Sequence, residues 1–64
     1  MSITVAAARI NAGMTQQQAA EALKISKGTY RNYEKGLTEP TIFMAEKIAN
    51  LFGMTLDQIA FNKK

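Results

Sequence analysis

The chain has no cysteine and no histidine, which removes disulfides, the usual zinc sites, thiol nucleophiles and imidazole bases together. It also lacks any apolar run near the roughly 18 residues needed to span a bilayer, and no basic flank leads into an apolar core and cleavage site. These absences predict a soluble, cytoplasmic protein with no metal, no cofactor, no membrane partner and no evident small-molecule ligand. The five carboxylates, Glu21, Glu34, Glu39, Glu46 and Asp57, are scattered without metal spacing or a phosphate-cradling glycine loop. No catalytic residue stands out, and an enzyme is the least favoured reading. There is no internal repeat, low-complexity stretch or linker. Sixty-four residues predict one domain, 1–64, which buries only about 60% of the surface its unfolded chain exposes and has little room for an enclosed cleft.

What the sequence does contain is period-3.6 apolar spacing almost throughout, with a net charge of +3 that favours a polyanionic partner only weakly. No alternating β-branched run is longer than Ile3 to Val5, so the chain reads as all-α. A first helix is expected from about Thr4 to Ala12, capped by Ser2 or Thr4, with Val5, Ala8 and Ala12 on one face and Gly13 as its left-handed stop. Thr15 and Gln18 form a capping box for a second helix that turns Ala19, Ala20 and Leu23 inward. Lys24 and Ile25 make a turn, and Ser26 caps a third helix whose buried side holds Tyr30 and Tyr33 or Glu34. Gly36 ends it. After a loop from Leu37 to Glu39 and Pro40, Thr41 caps a fourth helix presenting Ile42, Ala45, Ile48, Ala49 and Phe52 to the core, up to Gly53. Thr55 and Gln58 repeat the capping-box pattern before a short fifth helix, with Met54 stapled against Ile59. Lys63 and Lys64 are expected to fray.

Residues 15–36 therefore read as a helix-turn-helix, whose second helix suits the major groove of DNA. Lys27, Gly28, Arg31 and Asn32 face away from Tyr30 and Tyr33. Lysine and arginine can donate to guanine, asparagine can pair bidentately with adenine, and a threonine methyl can touch the thymine methyl. Lys27, Gly28, Thr29, Arg31 and Asn32 form the base-reading set. Gly28 lets backbone approach a base edge, although a first turn also simply tolerates glycine at about 1 kcal/mol relative to alanine. Gln16, and more weakly Gln17, lie in a first turn where unpaired amides and the helix dipole attract phosphate, although such residues are often just solvated. Lys35 and Thr38, with the amides around Gly36 to Thr38, would meet a second stretch of backbone.

The ordered set of Arg9, Gly13-Met14-Thr15-Gln16, Ala19-Ala20, Leu23, Ile25-Ser26, Tyr33-Glu34-Lys35-Gly36, Pro40 and Ile48-Ala49 through Phe52-Gly53-Met54-Thr55-Leu56-Asp57 resembles the phage-repressor helix-turn-helix family. These are the Cro/cI-like, or Xre-like, DNA-binding domains, and the resemblance covers residues 5–60. It implies a compact five-helix, lambda-repressor-like bundle, prokaryotic or phage-encoded, that binds operator DNA as a dimer on two half-sites about one helical turn apart. Carried over by position, it implies a phosphate or base contact for Gln16, base contacts for Lys27, Gly28, Thr29 and Asn32, and backbone roles for Lys35 and Thr38. It also pairs Arg9 with Glu34 in a partly buried ion pair, which accounts for an acid in a last helical turn where the dipole disfavours it. Three positions depart from the family pattern. Lys24 replaces the turn glycine and must turn left-handed or find another geometry. Leu37 and Glu39 stand in the phosphate-facing loop, where Glu39 would repel a phosphate it faced. Ala19 replaces a leucine, so the core is thinner or Tyr30 and Met14 fill it.

The fourth helix holds more apolar residues than one stripe uses. Phe43, Met44 and Leu51 fall off the inward face, and with Leu56, Ala60 and Phe61 they form a candidate homodimer surface, although a small domain exposes some hydrophobes in any case. The leading function is sequence-specific binding of double-stranded DNA by a homodimeric repressor. The alternative is a protein-interaction module of the same fold, antitoxin-like or regulator-docking, that binds DNA weakly or not at all.

Overall fold

The computed structural model describes residues 3–61. Ser2, Lys63 and Lys64 lie outside the described residues. In chain order come β1 (Ile3–Thr4), α1 (Val5–Asn11), α2 (Gln16–Leu23), α3 (Lys27–Lys35), α4 (Ile42–Leu51), a 3₁₀ turn (Leu56–Gln58) and β2 (Ile59–Ala60). Each α-helix begins with a hydroxyl that accepts from the N3 amide: Thr4 from Ala7 at 3.1 Å, Thr15 from Gln18 at 3.0 Å, Ser26 from Thr29 at 3.1 Å and Thr41 from Met44 at 3.1 Å. Such a cap contributes about 1 kcal/mol, a large share of the stability of helices only two to three turns long. At Thr15 the box closes, because Gln18 Oε1 accepts from the Thr15 amide at 2.9 Å.

The turns follow from backbone handedness. Gly13 and Gly36 end α1 and α3 in the left-handed region, and Lys24 adopts the same conformation at φ 62 and ψ 41 to end α2. That settles the geometry the missing turn glycine left open, at a steric cost of about 1–2 kcal/mol for a residue with a Cβ.

The core gathers Val5, Ala8, Ala19, Ala20, Leu23, Tyr30, Ile48, Ala49, Phe52 and Ile59, with Ala45 also buried. Its many alanines bring helix backbones close, and Tyr30 on α3 and Ile48 on α4 are its largest fully enclosed side chains. Met14 packs against this cluster from the side.

Several expectations are corrected. The described residues contain four α-helices rather than five. The helix expected after Thr55 stops as a 3₁₀ turn because Ile59 leaves it in an extended conformation to pair with the N-terminal segment. The second capping box itself forms as expected, with Gln58 Oε1 accepting from the Thr55 amide at 3.0 Å, and the Thr55 hydroxyl also donates to Asp57 at 2.6 Å. The all-α expectation holds for the main elements, and one short pairing is added to it: β1 and β2 pair in parallel, with Ile3 opposite Ile59 and Thr4 opposite Ala60. This clasp satisfies backbone groups that a two-residue segment cannot satisfy alone. Ala12 is exposed, because α1 ends one residue before it and it only caps the helix. Ile42 is 72% exposed, because the first turn of α4 overhangs a core that begins at Ala45. Met44 and Leu51 move the other way and pack against the core.

Candidate nucleic-acid interface

At about 100° per residue, the α3 sequence separates into two sides. Tyr30 is buried, Thr29, Tyr33 and Glu34 are half-buried, and Lys27, Gly28, Arg31, Asn32 and Lys35 are exposed. The three cations Lys27, Arg31 and Lys35 form no ion pair or hydrogen bond with other described residues. α3 therefore presents uncompensated positive charge with an amide and a glycine between, held in place by a tyrosine anchored in the core. A Cβ added at Gly28 would meet nothing within 4 Å, so no packing inside the chain calls for glycine there.

Other nominated residues are placed differently. Thr29 is half-buried and its hydroxyl accepts from Ser26 Oγ at 2.9 Å, which ties it to the helix cap. Gln17 Nε2 donates to Glu21 Oε2 at 2.9 Å, one helical turn on. The amides of Gly36, Leu37 and Thr38 are turned inward onto the end of α3, the last two donating to the Asn32 carbonyl at 3.0 and 3.4 Å. A phosphate near that loop would meet the side chains of Lys35 and Thr38, both exposed, rather than open amides.

Behind the exposed face lies a polar cluster. Arg9 Nε donates to Glu34 Oε2 at 2.7 Å, with side-chain exposures of 16% and 7%, and Arg9 Nη1 donates to the Met14 carbonyl at 2.9 Å. Gln16 Nε2 donates to the other carboxylate oxygen, Glu34 Oε1, at 2.9 Å. Burial alone would raise the Glu34 carboxyl, but the hydrogen bonds from Arg9 and Gln16, with the Tyr30 hydroxyl nearby, outweigh it and hold it below its ordinary value of 4.5. The Tyr30 hydroxyl is enclosed without a hydrogen bond of good geometry. Burial first, and the nearby Glu34 carboxylate second, push its pKa far up, so it stays neutral. Spacing along the chain held no sign of the Gln16–Glu34 bond, since only the packing of α2 on α3 brings the two together.

Of the proposed dimer residues, Phe43 is 76% exposed, whereas Met44, Leu51, Leu56 and Phe61 are half-buried against the core. Leu37 and Ile42, each 72% exposed, were not in that set. A groove of ≈ 290 Å³ is lined by Glu39, Pro40, Ile42, Ala45, Leu56 and Phe61. Among the described residues no cluster could hold a metal ion, and no helix is long and apolar enough to cross a membrane.

Residues 5–59, from the start of α1 to β2, match the model of the helix-turn-helix family. The chain belongs to that family. Among curated proteins it is similar to the cryptic phage CTXphi transcriptional repressor RstR of Vibrio cholerae, at 29% identity over 51 residues, covering 80% of this chain and 46% of that protein. It is also similar to the HTH-type transcriptional regulator ImmR of Bacillus subtilis (strain 168), at 36% identity over 52 residues, covering 81% of this chain and 41% of that protein. The chain thus spans less than half the length of these relatives. No solved structure gives a significant match. Membership bears out the Xre-like resemblance carried by the sequence, and both of these relatives are regulators of transcription by name.

Proposed function

We propose that this chain is a single cytoplasmic DNA-binding unit that lays α3 in the major groove of double-stranded DNA and represses transcription by occupying an operator. The carrying observation is the outward side of α3, where Lys27, Arg31 and Lys35 stand unpaired among described residues, with Gly28 and Asn32 between them. Lys27, Gly28, Arg31 and Asn32 read base edges, Thr29 contributes at most its methyl, and Gln16, Gln17, Lys35 and Thr38 meet the backbone. Two copies would join through Ile42, Phe43 and the groove floored by Leu56 and Phe61, with the two α3 helices about one helical turn, roughly 34 Å, apart. The regulatory names of the relatives support this reading.

Duplex affinity at two salt concentrations tests it. Log K should fall with log salt at a slope of roughly −0.9 per phosphate neutralised, and Asn32→Ala should weaken a selected site more than a random duplex. The exposure of Leu37, Ile42 and Phe43 favours a second reading, a protein-docking module of the same fold. Flat salt dependence would select that reading over DNA binding. Sedimentation that stays monomeric, alone and on a two-half-site duplex, would remove the homodimer.

A further inference from the structure

The N-terminus of α2 is gripped on both sides of its cap. Arg9 takes the Met14 carbonyl just before Thr15, and Glu34 takes the Gln16 side chain just after it. Arg9 and Gln16 each occupy one oxygen of the same carboxylate. The chemistry fixes which end of the Gln16 amide faces Glu34: a carboxylate only accepts, so the NH₂ group must point to it. That NH₂ group carries two hydrogens, and the second meets no acceptor among the described residues. Gln16 is half-buried, so its amide is restrained but reachable from outside.

We propose that Glu34 is a positioning residue for contact with the nucleic-acid backbone: it holds one Gln16 Nε2 hydrogen and thereby presents the other to a phosphate oxygen. The inference rests on the DNA-binding reading above. A free glutamine side chain would lose its rotamer freedom on binding phosphate, whereas one already tied to Glu34 has lost it on folding. The carboxylate sits in the last turn of α3, where its own helix disfavours it, but beside the N-terminus of α2, where a negative charge is favoured. Arg9 balances its charge. A phosphate approaching α2 therefore meets a neutralised cluster with one donor outward.

The test is a double-mutant cycle on affinity for a mixed-sequence duplex of about two helical turns, roughly 21 base pairs, using Gln16→Met, Glu34→Asp and the pair. Gln16→Met should weaken binding about fivefold, the scale of one hydrogen bond, with the salt slope unchanged because a neutral amide displaces no counterion. Glu34→Asp, one methylene shorter with its charge kept, should weaken binding similarly in the natural background and hardly at all beside Gln16→Met. Losses that multiply in the double variant, or no loss for Glu34→Asp, would overturn the proposal. Should Glu34→Asp fail to fold, the two Gln16 Nε2 protons of the unaltered chain decide the matter by NMR. One should be shifted already in the free protein and stay so, while the second shifts only when duplex is added. A Glu34-bonded proton that returns to the free-amide position on the duplex, or a second proton that does not move, would overturn it. Absence of any salt-sensitive duplex binding by the unaltered chain would instead remove the DNA-binding reading, and this proposal with it.

Discussion

Arg9 and Glu34 face each other at 2.7 Å across the junction of α1 and α3, both largely shielded from water. A pair so placed contributes little beyond what it cost to desolvate, yet removing one partner leaves a buried charge alone. Glu34→Ala should therefore lower stability by about 3 kcal/mol, well above the effect of an exposed substitution. Urea unfolding checks this, and an unchanged midpoint would show that the pair is idle.

The same carboxylate makes stability depend on acid. Its pKa is held below the ordinary 4.5 in the folded chain, so its stabilising contribution is fully present above that value and is lost as pH falls through the folded pKa. The melting temperature should drop as pH is lowered below about 4.5. Glu34→Gln should flatten that fall without abolishing it, because the exposed Asp57 carboxyl, lowered by its bond from Thr55, also titrates there.

Lys24 holds a left-handed conformation at the centre of the helix-turn-helix. Lys24→Gly removes the Cβ clash but adds unfolded-state entropy, and the net gain should be about 0.5–1 kcal/mol. In a domain this small that raises the melting temperature by roughly 4 °C. A lower melting temperature would mean that the lysine side chain contributes something its exposed position does not suggest.

Gly28 lies within α3 with open space where a Cβ would stand. Gly28→Ala should raise stability by about 0.5–1 kcal/mol through helix propensity alone. If the backbone there approaches a base edge, the same variant should bind a selected duplex more weakly. Melting and affinity moving in opposite directions is the expected result, and a tighter complex would count against close approach.

Most of the scaffold was legible because it is written in local chemistry. Ser26, Thr41 and the Thr15–Gln18 box announce helix starts, and Gly13 and Gly36 announce stops, each through contacts within four residues. Ala19, Ala20 and Leu23, and Ala45, Ile48, Ala49 and Phe52, follow from periodicity. What escaped depends on partners distant in sequence. Ile59 became a strand only because Ile3 lies beside it, and Ile42 was exposed because the core ends before it does. Phe43 and Met44 have similar character but opposite fates, decided by which one overhangs a filled interior. In the candidate interface, the outward side of α3 could be read from a helical wheel, while the engagement of Thr29 with Ser26 and of Gln16 with Glu34 could not.

The clasp between β1 and β2 bears on the order of assembly. Its paired residues, Ile3 with Ile59 and Thr4 with Ala60, are separated by nearly the whole described chain, so closing it requires the largest loss of chain entropy of any contact described here. The capped helices draw on neighbours close in sequence and can form first. The clasp then acts as a late latch whose opening uncovers the core residue Ile59 together with the two short strands, while the α2–α3 contact stays in place. Amides of β1 and β2 should therefore exchange with solvent through local opening, while those around Tyr30 wait for the whole bundle to come apart.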